Sequence, residues 1–120
     1  MEHTEIQYFF QLLQDMAHSI RENGELMREN MSESGEIFAD PADRASAESD
    51  KAFALRLRDR ERQLLRKIEE AIGRIEEGRY GICEECGEEI SVARLKARPV
   101  TQLCIECKSK QEETERQYRE

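Results

Sequence analysis

The sequence predicts an all-α fold in which a long antiparallel helical hairpin (a coiled coil) is followed by a small four-cysteine module and a C-terminal helix. Apolar residues recur at helical spacing along two long stretches, a short polar segment separates these stretches, and all four cysteines lie in two close pairs. Hydrophobic and charged residues each make up 38% of the 120 residues. This composition is too polar for one large core and suits extended helices with much exposed surface.

The first helix is predicted over residues 4–31. Ile6, Leu13, Ile20 and Met27 recur every seven residues. A second set lies three or four residues after members of the first: Phe9, Phe10, Met16, Ala17, Gly24 and Met31. Together they form a heptad seam, which a second helix would cover. Gly24 weakens a helix by up to about 1 kcal/mol relative to alanine, and it suggests a close approach to a neighbouring segment.

The second helix is predicted from residue 41 to about residue 77. Asp40 suits the N-cap, Pro41 suits the first helical position, and Asp43 lies near the positive end of the helix dipole. The apolar stripe of this helix contains Phe53, Leu57, Leu64, Ile68, Ile72 and Ile75. Residues 1–78 are therefore expected to form the hairpin, with its tip at about residues 32–45, and residues 79–120 the four-cysteine module and the last helix.

The two aspartates admit two interpretations. A local one is that Asp40 and Asp43 only cap and stabilise the second helix. The alternative is that these carboxylates, with Ile37 and Phe38 before them, form a contact surface at the hairpin tip. Residue types alone leave both open.

The cysteines form the pairs Cys83/Cys86 and Cys104/Cys107. Two such turns supply four thiolates to one ion, and their spacing is that of a four-cysteine, zinc-ribbon-like site, so one structural Zn²⁺ is expected. Gly87 directly follows the first pair, where a turn requires positive φ. Two disulfides, a thioredoxin-like redox pair and a labile redox-sensing zinc site are the alternatives, and each lacks supporting context in the sequence.

The net charge of −8 and the isoelectric point near 5.0 argue against DNA binding, which needs a basic face, and favour a partner with basic surfaces. The chain shows no signal-peptide pattern and no long apolar run, so a cytoplasmic location is expected. Basic residues nevertheless flank the cysteines: Arg79, Arg94, Lys96, Arg98, Lys108 and Lys110. They either balance the two excess negative charges of a four-thiolate zinc site or hold an anionic ligand or partner.

From residue 37 onward the chain resembles the DksA/TraR zinc-finger family. The matching stretches are Asp40-Pro41-Ala42-Asp43-Arg44-Ala45, Arg58-Asp59-Arg60-Glu61-Arg62, Gly81-Ile82-Cys83-Glu84-Glu85-Cys86-Gly87, Ala97-Arg98-Pro99 and Leu103-Cys104-Ile105-Glu106-Cys107-Lys108. The resemblance implies a non-enzymatic regulator that inserts its hairpin tip into the secondary channel of RNA polymerase. It would alter the stability of open complexes, together with ppGpp. A monomer is expected because an intramolecular hairpin covers the seam at a lower entropy cost, although dimerisation through the seam stays open.

The resemblance also implies roles for individual residues. Asp40, Asp43 and Ala45 would be the effector residues of the tip. Polymerase or ppGpp contacts fall on Arg60, Leu64, Lys67, Arg98 and Lys108, and all four cysteines match the family's metal ligands. The N-terminal portion is shorter than in the longest family members, and residues 1–30 carry the heptad pattern without an alignable motif.

Three other functions stay open as alternatives. A transcript-cleavage factor could hold Mg²⁺ at the polymerase active centre through Asp40 and Asp43. A DNA-binding zinc protein would have to overcome the acidic charge of the chain. A thiol oxidoreductase would use the cysteines without a metal ion.

Overall fold

The computed structural model describes residues 1–33 and 41–118, and the side chains of residues 1–24 and 41–118. It contains α1 (His3–Glu33), α2 (Pro41–Glu76), α3 (Val92–Ala97) and α4 (Ile105–Tyr118). Within these ranges there is no strand, and one isolated antiparallel bridge joins Ile82 to Glu89. The all-α prediction is confirmed. Asp40, Ile37 and Phe38 lie outside the described residues. Of the tip predicted at about residues 32–45, the structure describes the backbone of residues 32–33, which continues α1, and residues 41–45, which begin α2.

Helix α2 begins and ends as local chemistry dictates. Pro41 occupies its first position, where a missing backbone N–H costs nothing, and Asp43 lies in its first turn. At the other end Gly78 has a φ of +76°, its N–H donates to the Ile75 carbonyl, and the Arg79 N–H donates to the Arg74 carbonyl. This is a Schellman motif, which satisfies carbonyls that the last helical turn leaves without partners.

Contacts divide the chain into two units. The first unit comprises residues 1–14 and 67–120, and the second comprises residues 15–66. These units do not follow the order of the chain, because the start of α1 is grouped with the cysteine region. A functional division between residues 78 and 79 stays a prediction.

The first unit has a core drawn from helices and loops together. Its buried side chains are Phe9, Leu13, Ile68, Ala71, Arg74, Tyr80, Cys83, Ile90 and Leu95. The ring centroids of Phe9 and Tyr80 lie 5.7 Å apart, which joins α1 to the loop after α2. The cysteine region therefore shares its core with both long helices and does not depend on its own apolar residues alone.

In the second unit, α1 and α2 lie side by side. Ile20, Arg21 and Gly24 of α1 line a cavity of about 220 Å³ together with Arg58, Glu61, Arg62 and Leu65 of α2. Because only residues 34–40 separate the two helices, this pairing requires them to run antiparallel. A Cβ built on Gly24 meets nothing within 4 Å, so the predicted close approach at this glycine is wrong.

The apolar stripe predicted on α2 is not buried along its whole length. Phe53 is 57% exposed, and the guanidinium carbon of Arg56 lies 6.0 Å from its ring centroid. Leu55, which borders the stripe, is 47% exposed. No helix among the described residues is long and apolar enough to cross a bilayer.

Candidate metal centre and its surroundings

The first cysteine pair lies in a tight turn. The Gly87 N–H donates to the Cys83 carbonyl (3.0 Å), and the Cys83 N–H donates to the Glu88 carbonyl (2.8 Å). Gly87 has a φ of +74°, as predicted from its place after Cys86. The turn aims both sulfurs toward the same side.

The second cysteine pair lies where α4 begins. Cys104 immediately precedes the helix and Cys107 lies in its first turn, where the Lys108 N–H donates to the Cys104 carbonyl (3.0 Å). The two pairs are joined through the backbone, because the Glu84 N–H donates to the Gln102 carbonyl (2.9 Å). This backbone hydrogen bond holds the first cysteine turn beside the residues that lead into the second.

The four sulfur atoms of Cys83, Cys86, Cys104 and Cys107 all lie within 4.8 Å of one another. Zn–S bonds of about 2.3 Å in a tetrahedron place neighbouring sulfurs about 3.8 Å apart. The Sγ atoms of Cys86 and Cys104 are separated by 3.8 Å. The four cysteines therefore fit one tetrahedral Zn²⁺, and a four-thiolate site has no open position for substrate.

The thiols of Cys83 and Cys107 have pKa values shifted in opposite directions. Burial raises the pKa of the Cys83 thiol, but backbone hydrogen bonds from Cys86, Cys104 and Glu85 outweigh burial and bring this pKa down to about 6. The hydrogen bond with Cys104, together with desolvation, raises the pKa of Cys107 to about 12. Four thiolates cannot coexist at this distance without a cation, so metal binding at this site must release protons.

Two of the flanking arginines, Arg79 and Arg94, donate hydrogen bonds to acceptors within the protein. The Arg79 guanidinium donates to Glu77 and, at 2.7 Å, to Glu84, and the hydrogen bond to Glu77 raises its pKa. Arg94 donates through Nε to the Leu103 carbonyl at 2.9 Å. These two residues therefore stabilise the module through carboxylate and carbonyl acceptors, and the balancing of thiolate charge by the flanking basic residues stays a prediction.

Arg98 differs from both of them. It is exposed, and it terminates α3 with its own N–H donating to the Arg94 carbonyl (2.8 Å). Its guanidinium makes no hydrogen bond or ion pair within the described ranges, whereas Lys108 Nζ donates to Gln111 Oε1 at 3.1 Å. The Arg98 guanidinium is thus available to an external anion, as are the exposed ammonium groups of Lys96 and Lys110.

Sequence reasoning missed two residues of the site's surroundings. Arg74 is buried, and its Nη2 donates to the Val100 carbonyl at 3.3 Å. The Tyr80 hydroxyl donates to the Pro99 carbonyl at 2.7 Å, and burial raises the pKa of Tyr80 to about 12. A signal existed for Arg74, because it lies three residues after Ala71 and so on the buried face of α2.

The remaining predicted residues are distributed over both units. Asp43 and Ala45 are exposed near the start of α2. Arg60 is exposed and Leu64 half-buried in the second unit, and Lys67 is exposed in the first. Arg60 and Leu64 are four residues apart along α2, which is the spacing of neighbours on a helix surface.

Comparison with known proteins gives matches along the whole chain. Residues 5–75 match the N-terminal domain of DnaK suppressor protein DksA, and residues 78–113 match the prokaryotic dksA/traR C4-type zinc finger. The RNA polymerase-binding transcription factor DksA of Caulobacter vibrioides is 44% identical, with 100% of this chain and 84% of the relative aligned. The protein of the same name from Escherichia coli K12 is 38% identical over 98% of this chain and 78% of the relative.

Solved structures agree with these sequence matches. Transcription factor DksA2 from Pseudomonas aeruginosa superposes with a TM-score of 0.86 at 38% identity, covering 97% of this chain and 89% of that one. An RNA polymerase binding protein and transcriptional regulator from Chlamydia trachomatis superposes with a TM-score of 0.58 at 25% identity. The similarity therefore extends over both units and over the four cysteines.

Proposed function

Since the chain belongs to the DksA/TraR zinc-finger family, we propose that it regulates transcription by binding RNA polymerase and catalyses no reaction of its own. The observation that carries this proposal is the alignment of the whole chain with RNA polymerase-binding transcription factors at 38–44% identity. The protein would act as a monomer in the cytoplasm and make no direct contact with DNA. Its net charge of −8 supports a protein partner over a nucleic acid.

The tip of the hairpin would enter the secondary channel of the polymerase and alter the stability of open complexes. Asp40, Asp43 and Ala45 would be the effector residues there. The exposure of Asp43 and Ala45 supports this role. Asp43 lies in the first turn of α2, so one carboxylate can stabilise the helix and also be held in a fixed place for contact.

Four basic residues and one leucine would dock the protein. Arg60, Leu64, Lys67, Arg98 and Lys108 would contact polymerase or ppGpp at a shared interface. Guanidinium and ammonium groups are the usual ligands of phosphate oxygens. The exposed guanidinium of Arg98, without a partner in the described part of the chain, supports this assignment.

Zinc would have a structural role. Cys83, Cys86, Cys104 and Cys107 would hold one ion in a closed site that fixes the start of α4 against the first cysteine turn. The ion would supply binding free energy to the fold, and the residues that act on polymerase would lie elsewhere.

The proposal is tested by the lifetime of open complexes at a ribosomal RNA promoter. The wild type, with and without ppGpp, is expected to shorten this lifetime. Asp43→Asn is expected to bind polymerase with similar affinity but to lose most of the effect. Asp50→Asn is the matched control, because Asp50 is also an exposed aspartate of α2 but lies two turns further from the tip.

Each possible result has a clear meaning. A wild-type protein that does not bind polymerase contradicts the proposed function. Binding without any change in open-complex lifetime contradicts the proposed mechanism. RNA polymerase would then remain the binding partner, but open-complex stability would not be what the protein alters. Transcript cleavage in backtracked complexes that is lost in Asp43→Asn would instead indicate a cleavage factor, and a salt-dependent shift of duplex DNA would indicate a DNA-binding protein.

A further inference from the structure

The 98–103 segment, which leads from α3 to the second cysteine pair, is held by side chains from outside it. The Tyr80 hydroxyl donates to the Pro99 carbonyl at 2.7 Å, and Arg74 Nη2 donates to the Val100 carbonyl at 3.3 Å. The donors precede their acceptors by 19 and 26 residues. The path of this segment is therefore tied to the last turns of α2 and to the loop that follows them.

Arg74 is a buried charged residue, and its guanidinium serves as a hydrogen-bond donor inside the first unit. Only 4% of Arg74 is exposed, and burial lowers its pKa because the guanidinium loses hydration. An apolar residue at this place would avoid that cost. What the guanidinium adds is a donor that reaches the Val100 carbonyl.

Tyr80 offers a second donor from the same side. Its ring is buried beside Phe9, and its hydroxyl reaches only the backbone of the 98–103 segment among the contacts described. Because burial raises its pKa to about 12, the hydroxyl keeps its proton at neutral pH and remains a donor.

Arg98, at the start of this segment, combines a fixed backbone with a free side chain. Its N–H donates to the Arg94 carbonyl, and its carbonyl accepts from the Thr101 N–H at 3.1 Å. The next carbonyl in the chain is the one that Tyr80 binds. A guanidinium presented from a fixed backbone loses less conformational entropy when it meets an anion.

We propose that Arg74 and Tyr80 are positioning residues for Arg98, which they orient toward an anionic group of the polymerase complex by holding the two carbonyls that follow it. This inference rests on the proposed function, in which Arg98 contacts polymerase or ppGpp. The anion is a polymerase carboxylate or a ppGpp phosphate, and assays with and without ppGpp distinguish these two sources.

The first test needs no polymerase. Amide hydrogen exchange of Thr101 in the zinc-loaded full chain reports whether the 98–103 segment is held. Tyr80→Phe is expected to speed this exchange about twofold to tenfold, as for the loss of one hydrogen bond. The Gly87 N–H, which donates to Cys83 in the same unit, is the internal reference and should keep its rate. Unchanged exchange at Thr101, or equal acceleration at both amides, overturns the proposal.

The second test measures the protein concentration that gives half-maximal shortening of open-complex lifetime. Tyr80→Phe and Arg74→Met are each expected to raise this concentration about twofold to tenfold. In an Arg98→Ala background they are expected to have no further effect, because they act through Arg98. Arg74→Lys, which keeps a cationic donor, should restore most of the function. Arg79→Met is the matched control, since Arg79 pairs with Glu77 and Glu84 and does not contact the segment.

The outcomes separate this inference from the function on which it rests. Equal losses in the wild-type and Arg98→Ala backgrounds overturn the positioning role, because the substitutions then act through general stability. A wild-type effect that Arg98→Ala leaves unchanged overturns it as well, together with the proposed contact of Arg98, while regulation through polymerase binding stands. Absence of polymerase binding by the wild type overturns both, even if exchange at Thr101 responds to Tyr80→Phe.

Discussion

At the scale of single residues, arginines near the cysteines have different tasks although their sequence contexts are similar. Arg79 binds carboxylates, Arg94 binds a carbonyl, and Arg98 binds nothing within the described ranges. The sequence predicts only that basic residues flank a negatively charged site. Which of them remains available depends on the acceptors that the fold brings near each one, and these come from distant parts of the chain.

Tyr80 gives a residue-scale prediction about alkaline pH. Burial raises its pKa to about 12, from an ordinary value near 10 in the unfolded chain. The unfolded state therefore loses its proton first as pH rises, so stability is highest below pH 10 and falls between pH 10 and 12. This shift corresponds to roughly 3 kcal/mol. Denaturation at fixed pH values from 8 to 12 should show this fall in the wild type and not in Tyr80→Phe.

The difference in free energy of unfolding between the wild type and Tyr80→Phe should change sign as the pH rises. Below pH 10, Tyr80→Phe is expected to be about 1 kcal/mol less stable, because it lacks the hydrogen bond to the Pro99 carbonyl. Near pH 12 it should be the more stable of the two. Parallel stability curves across this range would contradict the buried, protonated state of Tyr80.

At the scale of elements, the two long helices were predictable because their signals are local. Heptad spacing predicts α1, and Pro41 with Asp43 predicts where α2 begins. The C-terminal end of α2 and the turn at Gly87 also follow from glycines whose positive φ other residues rarely adopt. The buried places of Arg74 and Tyr80 were not predicted, because they depend on carbonyls of the 98–103 segment.

Gly73 lies within α2 and Gly78 lies just beyond its end. Alanine substitutions at these two glycines distinguish steric crowding from backbone strain as causes of a stability change. A Cβ added at Gly73 or at Gly78 meets nothing within 4 Å, but only Gly78 has positive φ. Gly73→Ala should therefore raise the free energy of unfolding by up to about 1 kcal/mol, through helix propensity. Gly78→Ala should lower it by about 1 kcal/mol, because alanine is strained in the left-handed region. Urea denaturation measures both, and equal effects of the two substitutions would contradict the assigned end of α2.

At the scale of the whole molecule, contacts cross the boundary that the order of the chain suggests. The sequence predicts a hairpin over residues 1–78 and a separate module after it. In the structure, residues 1–14 belong to the same contact unit as the cysteines, and Phe9 packs beside Tyr80. The spacing of apolar residues in the sequence shows which helix faces are apolar, but it does not show which distant segment covers each face. The metal site should therefore influence the start of α1 as well as its own loops.

Zinc removal is expected to loosen the whole first unit. Structural zinc sites contribute about 10–16 kcal/mol of binding free energy, which equals or exceeds the total stability of most domains. Because Cys83 lies in the core with Phe9 and Tyr80, loss of the ion should abolish the near-ultraviolet circular dichroism of the tyrosines. A chelator titration with metal analysis measures the tyrosine signal against zinc content, with zinc re-addition as the control for reversibility.

Without any chelator, Cys104→Ser should already show the weak tyrosine signal of the chelated wild type. A tyrosine signal that survives complete zinc loss would show that the shared core, and not the metal, holds the first unit together.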